Sequence, residues 1–198
     1  MNAEHSSLNS TLGLILAGGQ SSRMGVDKAT LSLHGESFLQ LAIRRFESIG
    51  IHNYIVSSNT LKGAMPDRKT GIGPLAALDA VLSLPKHRLN GADSVLVVPI
   101  DMPLFPADCL KSLVLKGKEQ QAGGFYRSQP MPFMVQLTEQ FAAILNQQIQ
   151  SNDRSIFALL NKLNAVEVEY DDGQIAKDAF YNVNTPEQML KMENISQC

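Results

Sequence analysis

The stretch LGLILAGGQSSRMGVDK, residues 12–28, decides the fold that the sequence predicts. It begins with a short apolar run, LGLIL, whose length is typical of a buried β-strand. Gly18 and Gly19 follow, and because neither has a Cβ atom the backbone can turn sharply there and approach a ligand closely. Arg23 and Lys28 add two cations to the backbone amides of this loop, which favours a polyphosphate ligand. An ordinary strand-to-helix turn with solvated charges explains the same residues.

Two common phosphate-binding motifs are excluded in this stretch. A P-loop needs glycine, lysine and a hydroxyl residue in succession, whereas Lys28 lies between Asp27 and Ala29. The dinucleotide-binding fingerprint needs the spacing G-x-G-x-x-G, and residues 18–25 do not have it. Any phosphate site here is therefore of another kind.

The composition is that of an ordinary globular domain. The chain has 198 residues, of which 44% are hydrophobic and 18% charged, enough for one sizeable core. A net charge of -2 gives no electrostatic reason to expect nucleic acid or a membrane surface as partner, and no apolar run is long enough to span a bilayer. Residues 1–11 have no apolar signal-peptide core and are interpreted as a flexible leader.

Cysteine and histidine usage indicates neither a disulfide framework nor a zinc site. Cys109 lies in an apolar periodic stretch and is interpreted as a small core residue, and Cys198 is the last residue. The four histidines are far apart, without the spacing of metal ligands. This pattern fits a protein of the reducing cytoplasm.

The remaining pattern in the first half predicts alternating strands and helices. Ser37 can cap a helix that ends near Gly50, and Pro74 can begin another helix. Strands are predicted at residues 54–56 and 94–99, and the second of these has no polar residue in its centre, as expected for a strand covered on both faces. The order predicts a doubly wound, mostly parallel sheet.

The second half is less regular. Strands are predicted at residues 122–126, 131–137 and 165–170, with helices around residues 110–114 and 141–145. Asp153 can cap a further helix, and Thr185-Pro186-Glu187-Gln188 is typical of a capping box that opens the last one.

Asp101 is the sharpest candidate for chemistry. A carboxylate directly after a buried strand needs a partner, because an isolated charge is unfavourable there. Magnesium bound by this carboxylate and by substrate phosphates would satisfy it. The alternative is an aspartate that caps the helix beginning near Pro106, for which the spacing is slightly long.

Four separated motifs resemble one family. The loop L-A-G-G-x-S-x-R-M-G-x-D-K, the sequence Gly73-Pro74-Leu75-Ala76, the stretch at residues 153–155 and N-V-N-T-P at residues 182–186 occur in the order found in molybdenum cofactor guanylyltransferases, the MobA family. The resemblance runs from about residue 12 to about residue 190. It implies a single three-layer α/β domain over residues 1–198 with a mostly parallel, mixed sheet of the Rossmann-like nucleotidyltransferase type. Residues 12–103 would form the nucleotide-binding half and residues 104–198 the half that binds the acceptor.

The resemblance also implies a function and a set of site residues. The enzyme would transfer GMP from GTP to molybdopterin with Mg²⁺, in the cytoplasm, in transient contact with cofactor-insertion proteins or molybdoenzymes. Asp101 would bind the metal, Lys28 and Arg23 would hold phosphates, and Asn182 and Asn184 would line the acceptor side. The nucleotide-binding residues would be Leu16, Ala17, Gly18, Gly19, Lys28, Ser57, Asp67 and Asp101.

Some positions depart from the family pattern and leave alternatives open. Ser57 stands where an asparagine often contacts the nucleotide, with Asn59 as a substitute, and Ala77 stands where glycine is usual. Asp67 is the best match for the acid that contacts guanine. A cytidylyltransferase or other nucleotidyltransferase, and a non-catalytic molybdopterin-binding chaperone, remain alternatives because a fold does not fix a function. Gly18 favours guanine, since related cytidylyltransferases usually have L-A-A-G in this loop.

Overall fold

The structure is a computed structural model and describes residues 3–18, 28–169 and 178–195. In these ranges the strands are β1 (Thr11–Leu16), β2 (Ser32–Leu33), β3 (Glu36–Ser37), β4 (Tyr54–Ser57), β5 (Ser94–Pro99), β6 (Gly124–Tyr126), β7 (Gln129–Gln136) and β8 (Val166–Val168). The helices are α1 (Ala3–Asn9), α2 (Phe38–Ser48), α3 (Pro74–Leu82), α4 (Lys86–Leu89), α5 (Ala107–Glu119), α6 (Glu139–Gln150), α7 (Ile156–Lys162) and α8 (Pro186–Ile195). A 3₁₀ turn covers Lys28–Thr30.

Six strands form one mixed sheet in the order β4-β1-β5-β7-β6-β8. Strands β4, β1 and β5 are parallel to one another, whereas β7 runs antiparallel to both β5 and β6. Strand β8 is parallel to β6, and β2 and β3 form a separate hairpin. The predicted mostly parallel, mixed sheet is confirmed.

Helices cover both faces of this sheet. Val95 and Val97 of β5 pack into one apolar cluster with side chains of α3, α6 and α7. Leu96 and Val98 point to the other face, into a cluster with side chains of α2, α5 and α8. Alternate residues of one strand therefore serve two cores, which explains why β5 has no polar residue in its centre. Full burial of one such side chain contributes about 1.5–3 kcal/mol.

The helix starts in the first half agree with the prediction. The Ser37 side chain accepts a hydrogen bond from the Gln40 amide, the Gln40 side chain accepts one from the Ser37 amide, and α2 begins directly after this capping box. Pro74 is the first residue of α3. Gly73 precedes it with φ 59° and ψ -142°, a conformation that is open essentially to glycine alone.

Two helix starts in the second half differ from the prediction. Ser155, not Asp153, caps α7 and accepts from the Ala158 amide at 3.1 Å. The Asp153 carboxylate instead accepts from the Ser155 amide, because its side chain forms the turn before the helix. At α8 the capping box is half formed, since the Thr185 hydroxyl accepts from the Gln188 amide but the Gln188 side chain binds a different backbone amide.

The predicted flexible leader is wrong for residues 3–9, which form helix α1. Leu8 is 2% exposed and belongs to the same apolar cluster as the α5 side chains. Glu4 forms an ion pair with Lys111 of α5 at 3.1 Å. Leu8 and the Glu4–Lys111 ion pair hold this helix in place, and one leucine gives no periodicity that the sequence could reveal.

The strand predicted at residues 165–170 is observed as β8, and Tyr170 lies outside the described residues. Among the helices of the described ranges, none has the length and apolarity needed to cross a membrane.

Candidate active site

The candidate site lies where three parallel strands end side by side. Leu16, the last residue of β1, pairs with Ser57 of β4 on one side and with Pro99 of β5 on the other. Beyond it, the Ala17 amide donates to the Ser57 carbonyl at 2.9 Å, and the Ile100 amide donates to the Leu16 carbonyl at 3.1 Å. The carboxyl ends of parallel strands are the usual ligand-binding edge of an α/β sheet.

Lys28, Asp101 and Asn184 meet at this edge. The Lys28 Nζ atom lies 2.9 Å from Asp101 Oδ2 and also donates a hydrogen bond to Asn184 Oδ1. The side chains of the ion pair are only 16% and 23% exposed, so water screens the pair weakly. The structure thus brings together three predicted site residues from distant parts of the chain, and shows that Asp101 does not cap α5, whose cap is Pro106.

Backbone contacts hold the C-terminal segment against Asp101. The Val183 amide donates to the Asp101 carbonyl at 2.9 Å, and the Asn184 amide donates to Gln188 Oε1 at 2.6 Å. Lys28 is in turn fixed by its 3₁₀ turn, where the Leu31 amide donates to its carbonyl at 3.2 Å. The cluster is therefore preorganised by backbone on both of its sides.

The C-terminal segment also carries an aromatic side chain, Phe180, that packs against two other aromatic rings. Phe180 lies edge-on to Phe105 with ring centroids 5.2 Å apart, and its ring is 5.8 Å from that of Tyr126. The Tyr126 hydroxyl donates to the Cys109 carbonyl at 2.8 Å. Burial raises the pKa of Tyr126, with the neighbouring Cys109 adding to the effect, so this phenol stays protonated. Cys109 is itself buried, which confirms that it is a core residue, and this burial raises the pKa of its thiol.

The loop after β4 folds back on the end of that strand. The Met65 amide donates to the Val56 carbonyl at 2.8 Å, and the Ser58 amide donates to the Met65 carbonyl at 3.0 Å. Asn59 and Asp67 then bind each other twice at 2.8 Å, from Asn59 Nδ2 to the Asp67 carboxylate and from the Asp67 amide to Asn59 Oδ1. Sequence reasoning singled out both residues but not their link, because an eight-residue separation inside a loop carries no periodic signal.

Gly18 lies beside this loop. A Cβ atom placed on it would lie 3.6 Å from Ser58 Cα, an ordinary contact, and its φ is not in the left-handed region. The sharp turn predicted at Gly18 is therefore not required by its backbone. The close approach of a ligand to the Gly18 main chain stays a prediction.

Other predicted site residues are less constrained by the structure. Arg23 and Gly19 lie outside the described residues. Asn182 is exposed, and within the described part of the chain it makes no hydrogen bond to Lys28 or Asp101. Ser57 is buried at the end of β4, at 3% exposure, and presents its backbone carbonyl to Ala17.

The donor set at Asp101 fits a hard divalent cation. One carboxylate oxygen and one amide oxygen converge on a single positive charge, which here is the Lys28 ammonium. Mg²⁺ prefers oxygen ligands and is commonly bound by one or two carboxylates together with substrate phosphates. In the described ranges there is no group of three or more His, Cys, Asp or Glu side chains that could hold a metal without a substrate.

A lysine, an aspartate and an amide at the carboxyl ends of parallel strands are typical of the ligand-binding edge of a Rossmann-like α/β protein. Comparison with known proteins narrows this class to the nucleotidyltransferases. The chain belongs to the family described as the MobA-like NTP transferase domain, which it matches over residues 13–166.

Relatives of similar length support this family membership. The molybdenum cofactor guanylyltransferase of Xanthomonas euvesicatoria is 32% identical over 185 residues, covering 91% of this chain and 93% of the relative. The protein of the same name from Rhizobium meliloti is 33% identical over 195 residues, covering 91% and 89%.

A solved structure agrees on the fold. The molybdopterin-guanine dinucleotide biosynthesis protein A of Archaeoglobus fulgidus superposes with a TM-score of 0.73 at 22% identity, over 94% of this chain and 98% of that one. At this identity the likeness supports the Rossmann-like fold alone.

Proposed function

We propose that this protein transfers GMP from GTP to the terminal phosphate of molybdopterin, releasing pyrophosphate and forming a molybdopterin guanine dinucleotide. The observation that carries the proposal is the contact of Lys28, Asp101 and Asn184 at the carboxyl edge of β1, β4 and β5. Membership of the MobA-like family, and relatives named molybdenum cofactor guanylyltransferase, supply the substrates.

The proposed chemistry requires no general base, in agreement with the lack of histidine and glutamate in the sequence motifs at residues 12–28 and 182–186. The attacking group is a phosphate monoester, which is largely dianionic at neutral pH because its second pKa is about 6. An oxygen of this phosphate attacks the α-phosphorus of GTP, the bond to the β-phosphate oxygen breaks, and pyrophosphate leaves. No proton has to be removed, so the protein mainly aligns two anions and neutralises their charge.

Each residue then has a proposed role. Lys28, with Arg23 from the sequence motif, holds the triphosphate, since a lysine and an arginine both bind phosphate oxygens. Asp101 holds Mg²⁺, with the Asn184 amide oxygen beside it. When bound, the metal neutralises phosphate charge and helps to align the reacting groups.

The two sides of the site take the two substrates. On the nucleotide side, the main chain of Leu16, Ala17 and Gly18 is proposed to lie beneath the triphosphate, and the sequence motif assigns Gly19 to the same role. Ser57 and Asp67 are proposed to lie toward the base. Asn182 and Asn184 face the acceptor from the C-terminal segment.

The proposed setting is the cytoplasm, where GTP is available and cysteines stay reduced. Because the product is a cofactor that must reach its enzymes, we also propose transient contact with cofactor-insertion proteins or molybdoenzymes. These features follow from the proposed reaction.

The test is an assay of the purified chain with Mg²⁺, GTP and molybdopterin, with CTP in a parallel reaction. We expect pyrophosphate and a guanine dinucleotide to form in equal amounts, with little turnover of CTP. Dinucleotide formation from CTP alone would overturn the base assignment. Binding of molybdopterin without any pyrophosphate release would favour the chaperone.

A binding measurement complements the assay. GTP at 100 times its Kd should stabilise the fold by about 2.7 kcal/mol, which for a chain of this length raises Tm by roughly 5–10 °C. We expect this shift to require Mg²⁺ and to disappear with excess EDTA. The absence of a Tm shift with every nucleotide tested would contradict the assignment of the loop after β1 as a nucleotide-binding element.

A further inference from the structure

Asp79 is a buried carboxylate in the second turn of α3. Its side chain is 7% exposed. Among the buried side-chain oxygens and nitrogens of the described residues, Asp79 Oδ2 is the one without a hydrogen-bond partner. Such an atom calls for an explanation, because desolvating a carboxylate oxygen that receives no hydrogen bond is unfavourable.

The charges that face Asp79 both come from the loop after β4. Lys69 Nζ lies 3.4 Å from Asp79 Oδ1, and Arg68 Nη1 lies 3.8 Å from Asp79 Oδ2. The Lys69 and Arg68 side chains are 47% and 58% exposed, whereas the Asp79 carboxylate is buried, so the two cations extend from the surface toward the carboxylate. Arg68 also donates to the Ser83 hydroxyl, which in turn donates to the Asp79 carbonyl at 2.7 Å.

This pairing is weak support for the stability of α3. A buried ion pair with imperfect geometry repays little of the desolvation of its carboxylate, and an uncharged residue of similar volume is often as stable or more so. The contact does, however, restrict where residues 68 and 69 can lie. Its main effect is therefore on the loop and not on the helix.

The restricted residues adjoin the proposed base-reading side of the site. Asp67 directly precedes Arg68 and is tied by two hydrogen bonds to Asn59, just beyond the end of β4. Ser58, the neighbour of Asn59, lies against Gly18 at the end of the β1 strand. Asp79 thus contacts residues 68 and 69 of the loop after β4, and Ser58, at the start of the same loop, lies beside the proposed nucleotide-binding edge.

We infer that Asp79 is a positioning residue: its buried charge captures Arg68 and Lys69 and thereby holds Asp67 at the proposed guanine-binding edge. The inference rests on the proposed function for the identity of the nucleotide. The anchoring itself is a property of the loop and can be measured without substrate.

The test compares the wild-type chain with Asp79→Asn, which removes the charge and keeps the volume. We expect faster amide hydrogen exchange in residues 67–70 with unchanged exchange in β1 and β5, and a Tm at or above that of the wild type. In the GMP-transfer assay KM for GTP should rise about tenfold, equivalent to about 1.4 kcal/mol, while kcat changes by less than about twofold. A purely structural role would instead lower Tm and leave KM unchanged.

Two further variants keep the test decisive. The double variant R68Q/K69Q alters only surface side chains, so it should fold even if the core substitution does not, and it should give the same exchange and the same KM. Asp93→Asn is the control. Asp93 pairs with Lys118 at 2.6 Å and directly precedes β5, so it lies at the amino end of the parallel strands, whereas the proposed site lies at their carboxyl end. It should change neither loop exchange nor KM.

The outcomes separate this inference from the proposed function. Unchanged exchange and unchanged KM in both loop variants would overturn the role of Asp79 while wild-type GMP transfer stands. A wild-type chain that forms no guanine dinucleotide overturns the proposed function, and the hydrogen-exchange comparison then still decides whether Asp79 anchors the loop.

Discussion

Replacing Asp101 by asparagine separates the charge of this residue from its shape. The ion pair with Lys28 spans 2.9 Å and is partly buried. The free-energy cost of losing it should therefore lie between the cost for an exposed ion pair and the cost for a fully buried one. Asparagine keeps an oxygen that can accept from the ammonium. We therefore expect unfolding free energy to fall by about 1–2 kcal/mol, which lowers Tm by roughly 2–8 °C in a chain of this length.

The effect on turnover should be far larger than the effect on stability. Among the described residues, Asp101 supplies the carboxylate that contacts Lys28 beside Asn184, and the proposed reaction brings two anions together. Removing one preorganised electrostatic group typically lowers kcat by about 10²–10³-fold, or roughly 2.7–4 kcal/mol. The assay is pyrophosphate release with saturating Mg²⁺ and GTP, with the folded fraction checked by circular dichroism.

A matched control makes the result interpretable. Asp93→Asn also removes an aspartate that pairs with a lysine, at 2.6 Å, but at the opposite edge of the sheet. It should leave turnover within about twofold of the wild type. Near-normal turnover of Asp101→Asn would refute the assignment of the metal-binding carboxylate, and an equal loss in both variants would show that the effect is not local to the site.

Three further substitutions test the fold around the site. Gly73→Ala places a side chain at φ 59° and ψ -142° before α3, which should cost about 1–3 kcal/mol of unfolding free energy, measured by thermal melting. Gly13→Ala brings a Cβ atom to 2.5 Å from a ring carbon of Phe46, and overpacking of this kind should lower stability by about 1–3 kcal/mol; an unchanged urea midpoint would contradict the close packing of α2 on β1. Burial lowers the pKa of Arg45 to about 10, with the charge of Arg44 adding to it. The folded state therefore disfavours this cation below pH 10, so Arg45→Met should raise Tm at pH 7, and the advantage should shrink as pH rises above 10.

Much of the fold follows from local signals in the sequence. The unbroken apolar run of β5 predicted a central strand because a strand covered by helices on both faces cannot carry polar residues. Ser37 predicted the start of α2 because a serine side chain can accept a hydrogen bond from a backbone amide of the first turn. Signals of this kind depend only on neighbours along the chain.

The parts that the sequence did not reveal depend on contacts between distant residues. Helix α1 exists because Leu8 finds an apolar cluster built from other helices, and no pattern within residues 1–11 carries that information. The family resemblance implied that Asn184, Lys28 and Asp101 belong to one site, but not that one lysine would bind both Asn184 and Asp101. The sequence did not indicate that Asp79 is buried, because an aspartate in a helical stretch usually has a solvated side chain.

The tie between Lys28 and Asn184 spans 156 residues of chain, and this has a consequence for synthesis. A growing polypeptide emerges with its N-terminal part first, so β1, β4 and β5 can pair on the ribosome long before Asn184 is made. Until then Lys28 lacks the Asn184 side chain, and the Asp101 carbonyl lacks the hydrogen bond from the Val183 amide. We expect an arrested nascent chain that stops before residue 181 to form the parallel strands yet bind GTP poorly, so that catalytic competence is acquired only with the last part of the protein.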